Sequence, residues 1–260
     1  TALADDEDLV NKLFKYRFDN GAGLEGHSFG NLFITALYDI TGDMVSAVRA
    51  SSRVLSIRGR VLPSTLDNMK LAAEYEDGTI VHGESAIPEE HKKIKRLFTE
   101  PEHCKALEDV IEAIKDADLI ILGPGSLYTS VIPNLLIKEI SEEVIKSNAK
   151  KIYVCNIMTQ PGETDNYAVS DHINALYKHA GSDKLIDAVL VNNVLPKNMA
   201  DKYEKCGQMP VILDRYNIHV DIVEKKLIEE SKEGLVRHSS NRVARAIYYW
   251  FRKSSKKNNK

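Results

Sequence analysis

The sequence has few of the features that commit a chain to a membrane, to nucleic acid or to a disulfide-stabilised fold. No apolar stretch is long enough to span a bilayer, and the net charge of −3 gives no global attraction to nucleic acid. The three cysteines, Cys104, Cys155 and Cys206, are odd in number and far apart, so they offer no zinc-binding spacing and fit a reducing compartment. These absences predict a cytoplasmic protein with no integral membrane segment and no nucleic-acid partner.

An apolar run that ends in a glycine turn is the most informative segment. Residues 118–122 contain four consecutive apolar residues, as expected of a parallel strand covered on both faces, and Gly123-Pro124-Gly125-Ser126 follows directly. The turn exposes backbone N–H groups, and Ser126 or a neighbour is expected to cap the next helix, whose positive dipole end attracts anions. The segment lacks the Gly-Lys-Ser/Thr ending of a P-loop and the spaced glycines of the dinucleotide fingerprint. A phosphate site and a tight connection without a ligand therefore both stay open on this segment alone.

The order of the predicted elements indicates an α/β fold. Strands separated by helices imply right-handed βαβ units and a mostly parallel sheet, and the Asp77-Gly78 pair predicts a small antiparallel hairpin. We predict one domain over residues 1–260, with the hairpin and a basic, helix-poor segment as an insertion over 64–100 and a basic tail over 252–260. The predicted strands cover residues 58–63, 71–75, 79–82, 118–122, 152–157, 188–191, 211–213 and 219–223. The predicted helices cover residues 4–18, 32–38, 44–55, 104–115, 132–147, 169–179 and 197–205.

A second loop, from Asn156 to Thr164, carries side chains suited to a ligand. In an open α/β sheet, ligands lie outside the carboxyl ends of the strands, where the loops of neighbouring strands meet. The amides and hydroxyls of this loop can bind a uracil edge, a ribose or a sugar. The alternative is a set of turn residues that cap the following helix, which accounts for Pro161 and Gly162 but not for the many side-chain donors.

A third loop runs from Asn20 to Asn31 and is rich in glycine. Its glycines permit the close approach of a ligand to the backbone, and His27 and Asn31 offer donors at the start of a helix. A lone histidine is more often structural than functional, but His27 is the better candidate because glycines surround it.

Three segments together resemble the YvcK-type gluconeogenesis factors: Asn20-Gly-Ala-Gly-Leu-Glu-Gly-His-Ser-Phe-Gly-Asn31, Gly123-Pro-Gly-Ser-Leu-Tyr-Thr-Ser130 and Asn156-Ile-Met-Thr-Gln-Pro-Gly-Glu-Thr-Asp165. The resemblance runs through nearly the whole chain. This family is grouped with the 2-phospho-L-lactate transferases of deazaflavin cofactor synthesis. The resemblance implies a Rossmann-like, three-layer α/β fold with a mostly parallel sheet.

The resemblance also implies a set of ligand-binding residues and no catalytic or metal-binding residue. Tyr203 and Arg237 resemble sugar-nucleotide-binding positions of the family; an arginine can pair with a diphosphate, and a tyrosine can stack on the sugar or base. The alternative for Tyr203 is that it covers an apolar helix face. The alternative for Arg237 is that it is a surface residue before the last helix. The full predicted set comprises Asn20, Gly23, His27, Asn31, Gly123, Gly125, Ser126, Tyr128, Asn156, Thr159, Gln160, Gly162, Glu163, Thr164, Tyr203 and Arg237.

The function that the resemblance implies is regulatory. The expected ligand is a UDP-sugar such as UDP-N-acetylglucosamine, and the expected role is control of cell shape under gluconeogenic growth, without a required cofactor. Cell-envelope synthesis proteins are the implied partners, and a homo-oligomer is compatible with the sequence. The alternative is a 2-phospho-L-lactate transferase-like enzyme with a nucleotide diphosphate donor, for which Mg²⁺ would act as a phosphate clamp. Glu163 and Asp165 are the only acids within the strongest motifs, and such a pair is equally suited to capping a helix.

The family begins with a strand, a Gly-Gly-Gly-Thr-Gly loop and an Asp-Asp-Gly-Gly-Ser stretch, and this chain has no counterpart of them before Thr1. Because those parts help to hold the nucleotide diphosphate in the transferase branch, we expect this chain to bind weakly and not to be catalytic.

The C-terminal segment allows a third interpretation. Aromatic residues at 248–251 adjoin basic residues between 252 and 260, a mixture that can lie on an anionic membrane surface. The favoured alternative is a core helix followed by a disordered basic tail.

Overall fold

The computed structural model describes residues 7–21, 23–55, 59–195, 207–230 and 236–257. The chain divides into two compact units, Thr1–Leu66 and Asp67–Lys260. The single domain proposed from the sequence stays a prediction. The helix predicted over 197–205 lies outside the described residues.

The first unit contains three helices: α1 (Glu7–Lys15), α2 (Phe29–Thr41) and α3 (Met44–Val54). Helix α2 begins after Ser28, whose Oγ accepts the Asn31 N–H at 3.2 Å, and ends at Gly42, which has a φ of +83°. The helices predicted in this region are confirmed, with shifted ends. The strand predicted over 58–63 is wrong for residues 59–63, which are irregular. Within the described residues no strand pairs with this segment, and a strand needs a partner for its backbone groups.

An antiparallel sheet opens the second unit. Its strands are β1 (Lys70–Tyr75), β2 (Ile80–His82) and β3 (Ile94–Glu100), in the order β2-β1-β3. The predicted hairpin is therefore confirmed. Strand β3, however, lies where the sequence suggested only a basic, helix-poor segment. Its Ile94 and Leu97 are buried, while Lys95 and Arg96 point outward and each contacts the Glu74 carboxylate at 2.6 Å. Because these consecutive charged residues lie between the apolar ones, the sequence does not show the alternation expected of a strand.

A parallel sheet forms the centre of the second unit. Its strands are β4 (Leu119–Leu122), β5 (Lys150–Val154), β6 (Ala188–Asn192) and β7 (Asp221–Lys225), in sequence order. All three strand pairs are parallel, which confirms the predicted α/β fold. The remaining elements are the helices α4 (Glu108–Lys115), α5 (Ile132–Leu136), α6 (Lys138–Lys146), α7 (Val169–Ala180) and α8 (Ser240–Lys257), and the hairpin of β8 (Ile228–Glu230) with β9 (Val236–His238).

Side-chain alternation along the strands produces three layers. On one face of the sheet, Tyr153 and Val189 pack into the cluster that contains the apolar residues of α6 and α7. On the other face, their neighbours Ile152 and Ala188 pack against Trp250 and its neighbours on α8. Because successive strand residues point to opposite faces, four short apolar strands can cover both helical layers.

Two further predicted elements differ from the structure. The helix predicted over 132–147 is two helices, α5 and α6, because Ile137 is extended, with a ψ of 102°. The strand predicted over 211–213 is wrong: this segment makes only isolated bridges, Met158 with Pro210 and Ala168 with Ile212. Within the described residues, no helix combines the length and the apolar character that crossing a bilayer requires.

Two histidines, the half-buried His179 and the fully buried His172, connect the helical layer to the sheets. His179 on α7 accepts the Leu97 N–H of β3 at its Nε2 (2.9 Å) and bonds the Ala175 carbonyl through Nδ1 (2.7 Å), which assigns the Nδ1-protonated tautomer. His172 is fully buried, and its Nδ1 lies 3.0 Å from the Tyr153 hydroxyl, while its Nε2 has no partner among the residues that the structure describes. Burial lowers the pKa of His172 from 6.5 to about 4.

This burial predicts a loss of stability at mildly acidic pH. A histidine whose pKa is lower in the folded state binds fewer protons there than in the unfolded state, so its contribution is full above about pH 6.5 and disappears as the pH falls towards 4. The shift corresponds to about 3 kcal/mol. By urea denaturation, we expect the free energy of unfolding to decrease as the pH falls from 6.5 towards about 4. In His172→Gln we expect this decrease to be smaller. The exposed His219→Gln is the control. An unchanged slope in His172→Gln would contradict the assignment.

Candidate functional site

The two strand-end loops predicted from the sequence lie side by side. Strands β4 and β5 are parallel and in register, with Leu122 opposite Tyr153, so the loops that follow them leave the same edge of the sheet. Together with β9 they line an open cavity of about 530 Å³. Its walls comprise Pro124, Gly125, Ser126, Asn156, Ile157, Met158, Gln160, Val236, Arg237 and His238. The structure thus brings together five of the predicted site residues: Gly125, Ser126, Asn156, Gln160 and Arg237.

Gln160 connects the two loops through its side-chain amide. Its Nε2 donates to the Ser126 Oγ at 2.8 Å, and its Oε1 accepts from the Asn156 Nδ2 at 3.1 Å. Its backbone N–H donates to the Thr164 Oγ1 at 2.8 Å. With both ends of the amide and its backbone bonded, Gln160 holds Asn156 and Ser126 in fixed positions at the cavity wall.

Asn156 carries an acceptor that the protein does not use. Its Oδ1 is buried and, within the described residues, has no hydrogen-bond partner. In the structure Nδ2 donates to Gln160, which leaves the carbonyl oxygen as the free end of the Asn156 amide. A buried, unpaired acceptor is costly, so its place in a cavity wall favours a ligand that supplies a donor.

The first loop presents donors to the cavity, but not in the way the sequence suggested. Ser126 precedes a π-helical turn (Leu127–Val131) and makes no side-chain cap; its Oγ accepts from Gln160 instead. Within the described residues, the backbone N–H groups of Gly125 and Ser126 donate to no protein acceptor. Arg237 is exposed on β9 and lines the same cavity, so two backbone donors and one cation are available to an anion there.

The start of the helix after the first loop is already occupied by a carboxylate. Glu163 is 6% exposed; its Oε2 accepts the Tyr128 N–H and its Oε1 accepts the Thr129 hydroxyl, both at 3.1 Å. Burial raises the pKa of Glu163, and these hydrogen bonds oppose the rise. These donors are therefore already occupied, and the donors and the cation that remain among the described residues of the cavity wall are those of Gly125, Ser126 and Arg237.

Several other predicted site residues contribute to the fold. Tyr128 is buried and bonds the Tyr167 hydroxyl at 2.7 Å, and Thr159 is buried and accepts the Met209 N–H at 2.9 Å. Thr164 is fully buried beneath Gln160. Gly123 has a φ of +75° and lies against the Val154 carbonyl. The geometry gives these residues, like Glu163, structural roles that the sequence analysis did not foresee, and their contact with a ligand stays a prediction.

The third predicted loop belongs to the first unit. Asn20, Gly23, His27 and Asn31 are exposed there, and the loop is closed by the Phe18 N–H, which donates to the His27 carbonyl at 3.1 Å. Their part in ligand binding stays a prediction. Tyr203 lies outside the described residues.

Sequence reasoning missed five residues of the cavity wall: Pro124, Ile157, Met158, Val236 and His238. His238 donates from Nε2 to the Cys155 carbonyl at 3.2 Å, which attaches β9 to the end of β5, and burial lowers its pKa. The only available signal was its position next to Arg237, because the β8–β9 hairpin that brings both residues to the cavity was not predicted.

The chain is similar to proteins of one family over most of its length. The family model described as 2-phospho-L-lactate transferase CofD matches residues 1–228. A gluconeogenesis factor of Bacillus subtilis is 47% identical over 247 residues, covering 94% of this chain and 77% of that protein. A Nostoc sp. relative is 49% identical over 254 residues, which cover 96% of this chain but 56% of that protein, so the chain spans little more than half of its length.

Solved structures agree with this similarity. A crystal structure of a Bacillus halodurans protein of the UPF0052 family superposes with a TM-score of 0.88 at 44% identity, covering 95% of this chain and 80% of that chain.

Gly162 provides a test of how the second loop is held. Its φ is +78°, and an added Cβ would lie 1.8 Å from the Pro88 carbonyl oxygen, so backbone would have to move. We expect Gly162→Ala to lower the free energy of unfolding by about 2–5 kcal/mol. Gly181→Ala is the matched control, because Gly181 has a φ of +72° with no atom within 4 Å, and should lose about 1 kcal/mol. Equal losses in the two variants by urea denaturation would contradict this packing.

Proposed function

The chain belongs to the 2-phospho-L-lactate transferase CofD family, and from that premise we propose that it binds a UDP-sugar, such as UDP-N-acetylglucosamine, in the cavity at the ends of β4 and β5. The observation that carries the proposal is the Asn156–Gln160–Ser126 chain of side-chain hydrogen bonds, which fixes neutral polar groups in the cavity wall. Neutral donors and acceptors suit the recognition of a base or a sugar.

The free Asn156 Oδ1 supports a uracil ligand. Uracil presents an imide N–H, which a carbonyl oxygen accepts, whereas cytosine presents an unprotonated ring nitrogen at the same position. Asn156 lines the cavity, and its Oδ1 is buried and unpartnered within the described residues. A uridine nucleotide would satisfy it, while a cytidine nucleotide would bring two acceptors together.

The unused N–H groups of Gly125 and Ser126 and the guanidinium of Arg237 support a diphosphate ligand. Backbone donors fix the position of phosphate oxygens, and an arginine pairs with them through a planar set of N–H groups. All three residues line the cavity with Asn156, so one nucleotide can engage both sets.

We further propose a regulatory rather than catalytic role, linked to cell shape and envelope synthesis under gluconeogenic growth, since relatives bear the name gluconeogenesis factor. The acids of the second loop are committed to the fold: Glu163 binds the first loop, and the Asp165 Oδ2 accepts the Gly162 N–H at 2.7 Å. The transferase alternative fits the family name, and its Mg²⁺ would need carboxylates at the cavity. Among the described residues, no three His, Cys, Asp or Glu side chains come together as such a site, so the fit is poor and we derive no step through the ion.

Arg237→Ala tests the phosphate contact. By isothermal titration calorimetry we expect UDP-N-acetylglucosamine to bind the chain and the variant to bind about 10- to 100-fold more weakly, because a charge-assisted contact is lost. Arg252→Ala, an exposed arginine of α8 outside the cavity, is the control and should bind like the parent chain. Unchanged affinity in Arg237→Ala would contradict the site. Mg²⁺-dependent group transfer from a GDP-linked donor would favour the transferase instead.

The identity of the base is tested with UDP and CDP. We expect UDP to bind about tenfold more tightly than CDP and Asn156→Ala to abolish the difference, because the variant removes the acceptor for the uracil N–H. Competition calorimetry gives the ratio for both proteins, and circular dichroism confirms that the variant is folded. A preference for UDP that survives in Asn156→Ala would show that another group selects the base.

A further inference from the structure

Strand β7 ends the parallel sheet with an edge to which no strand in the described part of the chain pairs. It pairs with β6 on one side only. The Asp221 N–H donates to the Asp187 carbonyl at 3.1 Å, and the Lys225 carbonyl accepts from the Asn193 N–H at 3.1 Å, so the backbones of Asp221 and Lys225 face β6. By the alternation of a strand, the N–H and C=O groups of Ile222 and Glu224 face away from the sheet. Such an edge is a template for another strand.

The sequence of β7 is complementary to itself in the antiparallel direction. It runs Asp221-Ile-Val-Glu-Lys225. Pairing with a second copy about a two-fold axis at Val223 places Asp221 of each copy opposite Lys225 of the other. The same register places Ile222 opposite Glu224, and both have outward-facing backbones, so the two strands exchange hydrogen bonds at both of these positions.

The side chains at this edge do not oppose the pairing. The Glu224 carboxylate is paired with Arg215 of the same chain, so its charge is compensated and its aliphatic stem is available to Ile222 of the second copy. Asp221 and Lys225 are exposed at the two ends of the strand. Opposite charges directly across an antiparallel pair are stabilising, and the symmetry produces this pair twice.

A groove beside β7 provides space and further contacts. Residues 221–225 and one side of α8 line an open cavity of about 500 Å³. Within it, Trp250 is 9% exposed and its Nε1–H has no partner in the described residues, while Tyr249 is 69% exposed. Val223 packs with the α8 cluster, so Asp221 and Lys225 emerge on the same face as this helix. If the two-fold axis is normal to the sheet, the α8 helices of both copies lie on that same face, next to the contact between the two β7 strands.

We propose that β7 is the contact surface for a second copy of this chain, and that the two β7 strands pair antiparallel about Val223 to form one continuous sheet. The second copy is the occupant that fits, because the charge pattern of the edge is its own complement in a register that its outward backbone groups allow. This inference does not depend on the ligand of the cavity described above.

Charge exchange tests the register. By sedimentation equilibrium, the parent chain should form a dimer. Asp221→Lys and Lys225→Asp should each weaken the dimer about tenfold or more, because each creates two like-charge pairs by symmetry. The double variant Asp221→Lys/Lys225→Asp should restore the parent affinity. Lys138→Asp, on the exposed surface of α6, is the control and should leave the dimer unchanged.

A cysteine at the axis provides a measurement that does not depend on charge. Val223 residues of the two copies would form a pair without mutual hydrogen bonds, with Cα atoms about 4.5 Å apart, within the range of a disulfide. Under oxidising conditions we expect Val223→Cys to yield a covalent dimer and the parent chain, with its own three cysteines, to yield none. A monomeric parent chain, or a dimer that neither charge reversal weakens nor Val223→Cys cross-links, would overturn the proposal.

Discussion

The attachment of the second strand-end loop to the first is the interaction on which the cavity depends. Glu163 reaches from the loop after β5 to the N–H of Tyr128 and the hydroxyl of Thr129, and it is almost completely buried. A buried carboxylate is stabilised only when its oxygens are bonded, so separating the loops would leave these oxygens unsatisfied. Gly162 lies directly before it, against the Pro88 carbonyl, which fixes the same loop to the antiparallel insertion. The cavity wall is therefore held from two sides.

This attachment also determines what the cavity can bind. Because Glu163 occupies the donors at the start of the π-helical turn, the dipole of the following helix is already compensated by a protein anion. The donors left in the cavity are the backbone of Gly125 and Ser126 and the guanidinium of Arg237, and the free acceptor is Asn156 Oδ1. The residues of the cavity wall thus include groups that suit an anion and an acceptor that suits a neutral N–H donor. A uridine diphosphate ligand combines these two features, and this combination is why we favour it over a ligand that is only a phosphate.

The buried polar groups of the second unit fall into two kinds. Most are bonded within the protein, as in the case of Glu163, whose two carboxylate oxygens accept from Tyr128 and Thr129. Three buried side-chain atoms of the described residues have no partner: Asn156 Oδ1, His172 Nε2 and Trp250 Nε1. The first belongs to a residue of the proposed ligand cavity, the second to a core histidine whose pKa is lowered by burial, and the third to a residue of the groove beside β7. Unpaired groups in an otherwise satisfied interior are where we have placed the functional hypotheses.

The sequence by itself indicated the class of fold, because apolar runs that alternate with amphipathic helices bury their surface well as a parallel sheet between helices. It also located the two loops of the cavity, since glycines and amides at strand ends are local signals. It did not separate residues that face the cavity, such as Asn156 and Gln160, from residues that support it, such as Glu163 and Thr164, because all four are polar and lie within one short segment. That distinction, the arrival of Arg237 and His238 on β9, and the free edge of β7 were decided by tertiary structure alone. They depend on contacts between backbone and side-chain groups that are far apart in the chain. The residue types of a single segment do not specify those long-range contacts.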